Sequence, residues 1–164
     1  MANTITVLRK TRNYNPKLIK EGKVRVGFFP DSRYDGNTSV AQVARYNEFG
    51  MGVPPRPFMR PAVHTRRADL VNYLHKAYRQ ALRDNQDTLE VLETFGEQVK
   101  GLIQEQIINT HEPPNAEITI HGGWMRNKQT GKPIYIKGKG FNAPLRNTGI
   151  MLHSVRYQAE EIRK

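Results

Sequence analysis

The stretch Asp87–Ile107, DTLEVLETFGEQVKGLIQEQI, decides how the rest of the chain is read. Leu89, Leu92, Phe95, Val99, Leu102, Ile103 and Ile107 recur at three- and four-residue spacing, which places them on one helical stripe. Asp87-Thr88-Leu89-Glu90 has the form of a capping box, so the helix is expected to open there. A second periodic run precedes it: Val63, Leu70, Val71, Leu74, Ala77, Tyr78, Ala81 and Leu82. That run predicts one long helix from about Pro57–Pro61, whose prolines suit a first turn, to Arg83. The short connection DNQD then makes the pair an antiparallel helical hairpin.

Strand signals lie on both sides of this hairpin. TITVL (Thr4–Leu8) alternates weakly, and KVRVGFF (Lys23–Phe29) alternates clearly, with Val24, Val26 and Phe28 on one face. Ser39 is placed to cap a short helix over Val40–Phe49, which Gly50 and Gly52 end. EITI (Glu117–Ile120) and PIYI (Pro133–Ile136) are further strand candidates, and SVRYQA (Ser154–Ala159) is a terminal one. The expected fold is therefore α+β: a small, mostly antiparallel sheet from N- and C-terminal strands, packed with the long helical hairpin. At 164 residues the chain is expected to form a single domain, 1–164, with a flexible basic loop at 122–141.

Charge is distributed unevenly. The net charge is +11, yet residues 84–117 hold eight acids and one lysine, while the segments on either side are basic. Such a pattern suits a nucleic-acid binder, and equally a self-assembling protein whose acidic helix meets a neighbour's basic face. No run approaches the ~18 apolar residues that span a bilayer, so no membrane partner is expected. The N-terminal MANTITVLRK lacks the apolar core of a signal peptide. The absence of cysteine excludes disulfides and thiol chemistry and fits a cytosolic origin.

Catalytic patterns are missing. There is no nucleophile elbow, Walker loop or dinucleotide fingerprint, and Gly138-Lys139-Gly140 lacks the context of a phosphate cradle. His64 and His75 would share a helix face but stand eleven residues of ~1.5 Å rise apart, too far to hold one metal. Glu21-Gly22-Lys23 has no second acid to complete a nuclease site, and Ser154 beside His153 is adjacency alone. The sequence therefore predicts no enzyme, no cofactor and no metal. In the C-terminal third, Trp124 and Tyr135 interleave with Arg126, Lys128, Lys132, Lys137 and Lys139, which makes these five cations a candidate DNA-facing loop.

The remaining signal is VAQVARYNEFGMGVPPRPFMRPAV, Val40–Val63. Its Asn47-Glu48-Phe49-Gly50 and Arg56-Pro57-Phe58 blocks follow a strand VRVGFF and a Tyr34–Gly36 turn. This arrangement resembles the tailed-bacteriophage neck or tail-completion proteins, the group that includes the lambda-type minor tail protein Z. A second block, APLRNTGIMLHSVRY, resembles the C-terminal part of that family in Pro144-Leu145, Thr148-Gly149, Leu152 and Ser154. It departs at Asn147, where the family has aspartate, and at Ile150, where it has arginine; the 122–141 loop also exceeds the family's usual length. The resemblance implies a non-catalytic virion protein, a ring at the head–tail junction assembled in the host cytoplasm. Its implied neighbours are copies of itself and head-closure, connector, tail-terminator or tail-tube proteins, with transient contact to genomic DNA. On that reading Glu48, Arg56, Phe58, Arg60, Glu90, Glu93 and Glu97 are candidate subunit or partner contacts. Phe58 can instead sit in the chain's own core, and the two arginines can hold Glu48 or an acid on the next subunit. The competing expectation is a stand-alone basic nucleic-acid-binding protein.

Overall fold

A computed structural model describes Lys17 and residues 20–162. The expected strand at Thr4–Leu8 lies outside the described residues. The elements run β1 (Gly22–Phe28), α1 (Val40–Phe49), α2 (Met59–His64), α3 (Arg67–Asp84), α4 (Thr88–Asn109), α5 (Glu117–His121), β2 (Gly123–Arg126), β3 (Pro133–Ile136), α6 (Ile150–His153) and β4 (Val155–Glu161). The architecture is α+β.

β1 pairs antiparallel with β4, in a register that sets Val24 against Ala159, Val26 against Tyr157 and Phe28 against Val155. Helix α4 packs across this pair and also receives α2 and α3. The crossing needs close backbone approach at Gly96: a Cβ there would stand 2.7 Å from the Tyr157 ring and 2.8 Å from Val24 Cγ2. Asp87 caps α4 by accepting from Leu89 N at 2.9 Å, as its position predicts, and Lys20 pairs with the same carboxylate. The Lys20 backbone N–H also donates to Thr88 Oγ1 at 2.9 Å, which bolts the start of α4 to the lead-in of β1. α3 and α4 form the expected hairpin, turning through Asn85 in the left-handed region (φ 54°), and Tyr73 stacks on Phe95. One core joins Val40 and Ala44 of α1, Phe58, Val99, Ile103 and Ile107 of α4, Leu145, Met151 and Val155.

Three expectations change. The helix predicted from Pro57–Pro61 to Arg83 is two helices, α2 and α3. The Thr65 backbone N–H and hydroxyl both donate to Pro61 O, ending α2, and Arg66 leaves helical geometry with φ −109° and ψ 14°. The break re-aims the faces: Ala62 and Leu70 are buried, whereas Val63 and Val71 of the predicted stripe are 38% and 45% exposed. EITI is the one-turn helix α5 rather than a strand. Ala116 O accepts from Thr119 N and Ile120 N, and the carbonyls of Thr119 and Ile120 then accept from Lys139 N and Gly140 N. Finally, the loop expected at 122–141 contains an ordered antiparallel hairpin of β2 and β3. Asn127 organises its turn by accepting from Gln129 N at 2.8 Å and Thr130 N at 3.1 Å, and Gly131 takes φ 68°.

Candidate functional site

The proline–arginine segment is a clamp within the chain. Ser39 opens α1 by accepting from Gln42 N, and Gly50 closes it in the left-handed region at φ 75°. This places Glu48, in the last turn of α1, with only 3% of its surface exposed. Its carboxylate accepts from the backbone N–H groups of Phe58 (2.7 Å), Met59 (3.0 Å) and Arg60 (3.1 Å), and from Arg60 Nε at 2.9 Å. Glu48 thus supplies from another helix the cap that Phe58, as N-cap of α2, cannot provide. Burial pushes the Glu48 carboxyl up, but the three N–H donors and the Arg60 guanidinium outweigh it and hold the group below the usual carboxylate range. Arg60 reaches back to Glu48 O at 3.2 Å and lies over the Phe49 ring.

Arg56 points elsewhere. It is 6% exposed, and its guanidinium donates from Nε to Pro113 O at 2.7 Å and from Nη2 to Pro114 O at 2.8 Å. The backbone between the two helix ends is pinned as well, since Arg56 N donates to Asn47 O at 2.6 Å. Lys139 is anchored in the same manner, donating to Ala143 O at 3.1 Å and Arg146 O at 2.7 Å. Burial, and after it the charge of Arg56, holds the Lys139 ammonium below its ordinary value. Among the described residues neither cation has a carboxylate partner.

Several candidate roles change on these grounds. Glu48, Arg56 and Phe58 lie in the chain's own interior, so they are not groups offered to a neighbour. Of the four candidates in that segment only Arg60 has an exposed side chain, and its partner is Glu48. Lys139 is tied down at the root of the hairpin and does not belong with the free basic face. Glu90, Glu93 and Glu97 are exposed on α4, where Glu97 pairs with Lys100. Arg126, Lys128, Lys132 and Lys137 are all exposed.

The two sequence blocks that resemble one family meet in space. A groove of about 220 Å³ is walled by Tyr34, Val43 and Asn47 on one side and by Leu145, Thr148 and Met151 on the other. The hairpin stands apart from this wall. Trp124 and Tyr135 face each other across β2 and β3, edge to face at 5.5 Å, and are 72% and 60% exposed. The bonds of its strands and turn stay within the hairpin, while Lys139 N and Gly140 N tie its root to α5. At the root Gly122 and Gly138 touch so closely that a Cβ on either would fall within 2.7 Å of the other's backbone.

No family model, curated protein or solved structure matches this chain. The family resemblance therefore rests on the two sequence blocks themselves. Among the described residues no three His, Cys, Asp or Glu side chains gather where they could hold a metal ion. Nor is any helix among them long and apolar enough to cross a membrane. What the sequence could not disclose is the partner of Arg56: two proline carbonyls carry no side-chain signature, and only the fold brings them there.

Proposed function

We propose that the chain is a structural subunit of the head–tail junction of a tailed bacteriophage, as neck, connector or tail-completion protein. It assembles with copies of itself into a ring that joins tail to head and leaves passage for DNA, next to head-closure, tail-terminator or tail-tube proteins. One observation carries this reading: the two blocks resembling that family pack as a single wall and share one core. Val40, Ala44 and Phe58 from the first block belong to the same buried cluster as Leu145, Met151 and Val155 from the second. The two blocks are neighbours in the fold, which supports reading them together as one unit. The Glu48 and Arg56 clamps support the same reading, because they give the PPRPF segment a fixed shape suited to a scaffold.

Electron microscopy of the purified protein, with antibody labelling of virions, tests the proposal. Rings and label at the neck are expected; a monomer at every concentration, with no label on virions, would sink it. The second reading, a nucleic-acid-binding protein, draws on the exposed Trp124–Tyr135 pair among four cations. It requires tight, saturable oligonucleotide binding by a monomer or dimer, whereas the ring subunit would bind DNA weakly and lose it steeply with salt.

A further inference from the structure

The hairpin has two unlike faces. Strand alternation puts Trp124, Arg126, Pro133 and Tyr135 on one side, and Gly123, Met125, Ile134 and Ile136 on the other. Ile134 and Ile136 are half-buried, so the aromatic face is the one turned outward. Its centre is the Trp124–Tyr135 pair and Arg126 stands beside it. Lys137 leaves the strand next to Tyr135, and Lys128 and Lys132 crown the tip. No acid occurs anywhere between Ile118 and Ala159.

The opposite pattern exists elsewhere on the molecule. An open groove of about 280 Å³ runs between α3 and α4, floored by Tyr73, Ala77 and Val91 and edged by Gln80, Glu90 and Thr94. Asp69, Tyr73, Ala77, Gln80 and Asp84 share one face of α3 by their four-, four-, three- and four-residue spacing. Lys76, seven residues after Asp69, lies at the edge of the same face, while Arg79 and Arg83 turn away, so the rim sets Asp69, Asp84 and Glu90 against one cation. Asp87 is paired with Lys20, but Asp69, Asp84 and Glu90 are in no ion pair among the described residues. From Asp69 to Asp84 the face extends about 22 Å at ~1.5 Å per residue. The four-residue strands of the hairpin reach about 13 Å, before the turn is added. Apolar centres and oppositely charged flanks match in kind, and the strands of the hairpin fit within the length of the groove face.

We propose that the β2–β3 hairpin of one copy docks in the α3–α4 groove of a second copy, with Trp124 and Tyr135 over Tyr73 and Ala77. Arg126 and Lys137 then face Asp69, Asp84 and Glu90. The inference rests on the ring reading and deepens it by naming the contact. Because the two surfaces differ, the contact is head-to-tail: it closes into a ring or extends as a filament, and does not stop at a symmetric dimer.

The test uses the full chain and two charge-reversal variants at exposed positions. One is Arg126→Glu with Lys137→Glu; the other is Asp69→Lys with Glu90→Lys. Sedimentation velocity should show assembly of the unaltered chain, weakened at least about tenfold in each variant. An equimolar mixture of the two should recover assembly, because each unaltered hairpin meets an unaltered groove and each reversed hairpin a reversed groove. Trp124, the single tryptophan, reports burial by a blue shift of its emission in the unaltered protein and in the mixture. As the chain has no cysteine, Tyr135→Cys and Thr94→Cys copies should cross-link only to each other through that pair, which needs no charge reversal.

Assembly of both variants like the unaltered chain, with no Tyr135–Thr94 cross-link, would overturn the docking while leaving the ring reading intact. A chain that stays monomeric at every concentration would overturn both. If a single-stranded oligonucleotide instead quenched Trp124, and reversal of the hairpin charges abolished only that, the surface would belong to nucleic acid and the docking would fall.

Discussion

Replacing Glu48 by alanine removes the acceptor on which the start of α2 depends. Three backbone N–H groups and the Arg60 guanidinium lose a partner at 2.7–3.1 Å. The Phe58 N–H suffers most, because Phe58 is fully buried and water cannot replace the carboxylate; one such orphan costs about 1–3 kcal/mol. The N–H groups of Met59 and Arg60 lie nearer solvent and count for about 1 kcal/mol each, in the range of a lost helix cap. The Arg60 ion pair adds less than about 1 kcal/mol, since its side chain is 63% exposed. The total is about 3–6 kcal/mol, or a fall in Tm of roughly 6–24 °C for a domain of this length. Glu48→Gln keeps one acceptor oxygen and should lose about half as much.

The pH dependence has a definite sign. The folded-state pKa of Glu48 is depressed, so its stabilisation is complete above the unfolded value of about 4.3 and is lost as pH falls through the folded value. The gap between the wild type and Glu48→Gln should therefore be widest at neutral pH and close on acidification. Urea unfolding followed by circular dichroism at pH 7 and at pH 4 measures both. A Glu48→Ala protein within about 1 kcal/mol of wild type, or a gap that widens in acid, would refute the clamp.

Gly96 and Gly101 form an internal contrast on α4. Gly96→Ala should destabilise by about 1–3 kcal/mol, because its Cβ meets Tyr157 and Val24, whereas Gly101→Ala meets nothing and should stabilise by up to about 1 kcal/mol; thermal melts distinguish them. Arg56→Lys keeps the charge but not the fork that spans Pro113 O and Pro114 O, and urea unfolding should register a loss of about 1–3 kcal/mol. Asn127→Ala frees the two turn N–H groups of the hairpin. Limited proteolysis should then cut between Asn127 and Lys132 faster, with the global melting temperature unchanged.

Long periodic segments were legible from sequence because burial on one stripe leaves a pattern. The α4 stripe, the Ser39 and Asp87 caps, the alternation of β1 and β4 and the α3–α4 hairpin all follow from it. The break at Thr65–Arg66 was not legible, since it uses neither glycine nor proline; a threonine hydroxyl on Pro61 O ends the turn instead. EITI reads as a strand by alternation, but as α5 its carbonyls accept from Lys139 and Gly140, twenty residues away. β2 was hidden because Gly123-Trp124-Met125-Arg126 has no alternation until PIYI is set against it. Of the candidate contacts, the sequence named Glu48 as one partner for an arginine, and Arg60 takes it. The α3–α4 groove needs two helices side by side, which no single stretch of sequence encodes.

Arg56 and Lys139 have a mechanical consequence. The carbonyls of Pro113 and Pro114 lie just ahead of α5, from which the hairpin grows, and Lys139 stands where the chain leaves it. Both roots of the arm are thus riveted, one to the segment between α1 and α2 and the other to the 143–146 turn. A pull on the arm loads these rivets in parallel, and the force enters the core directly instead of travelling along α4. Tension is shared between two short routes, so the arm can bear strain that would peel away a hairpin hung from a single root.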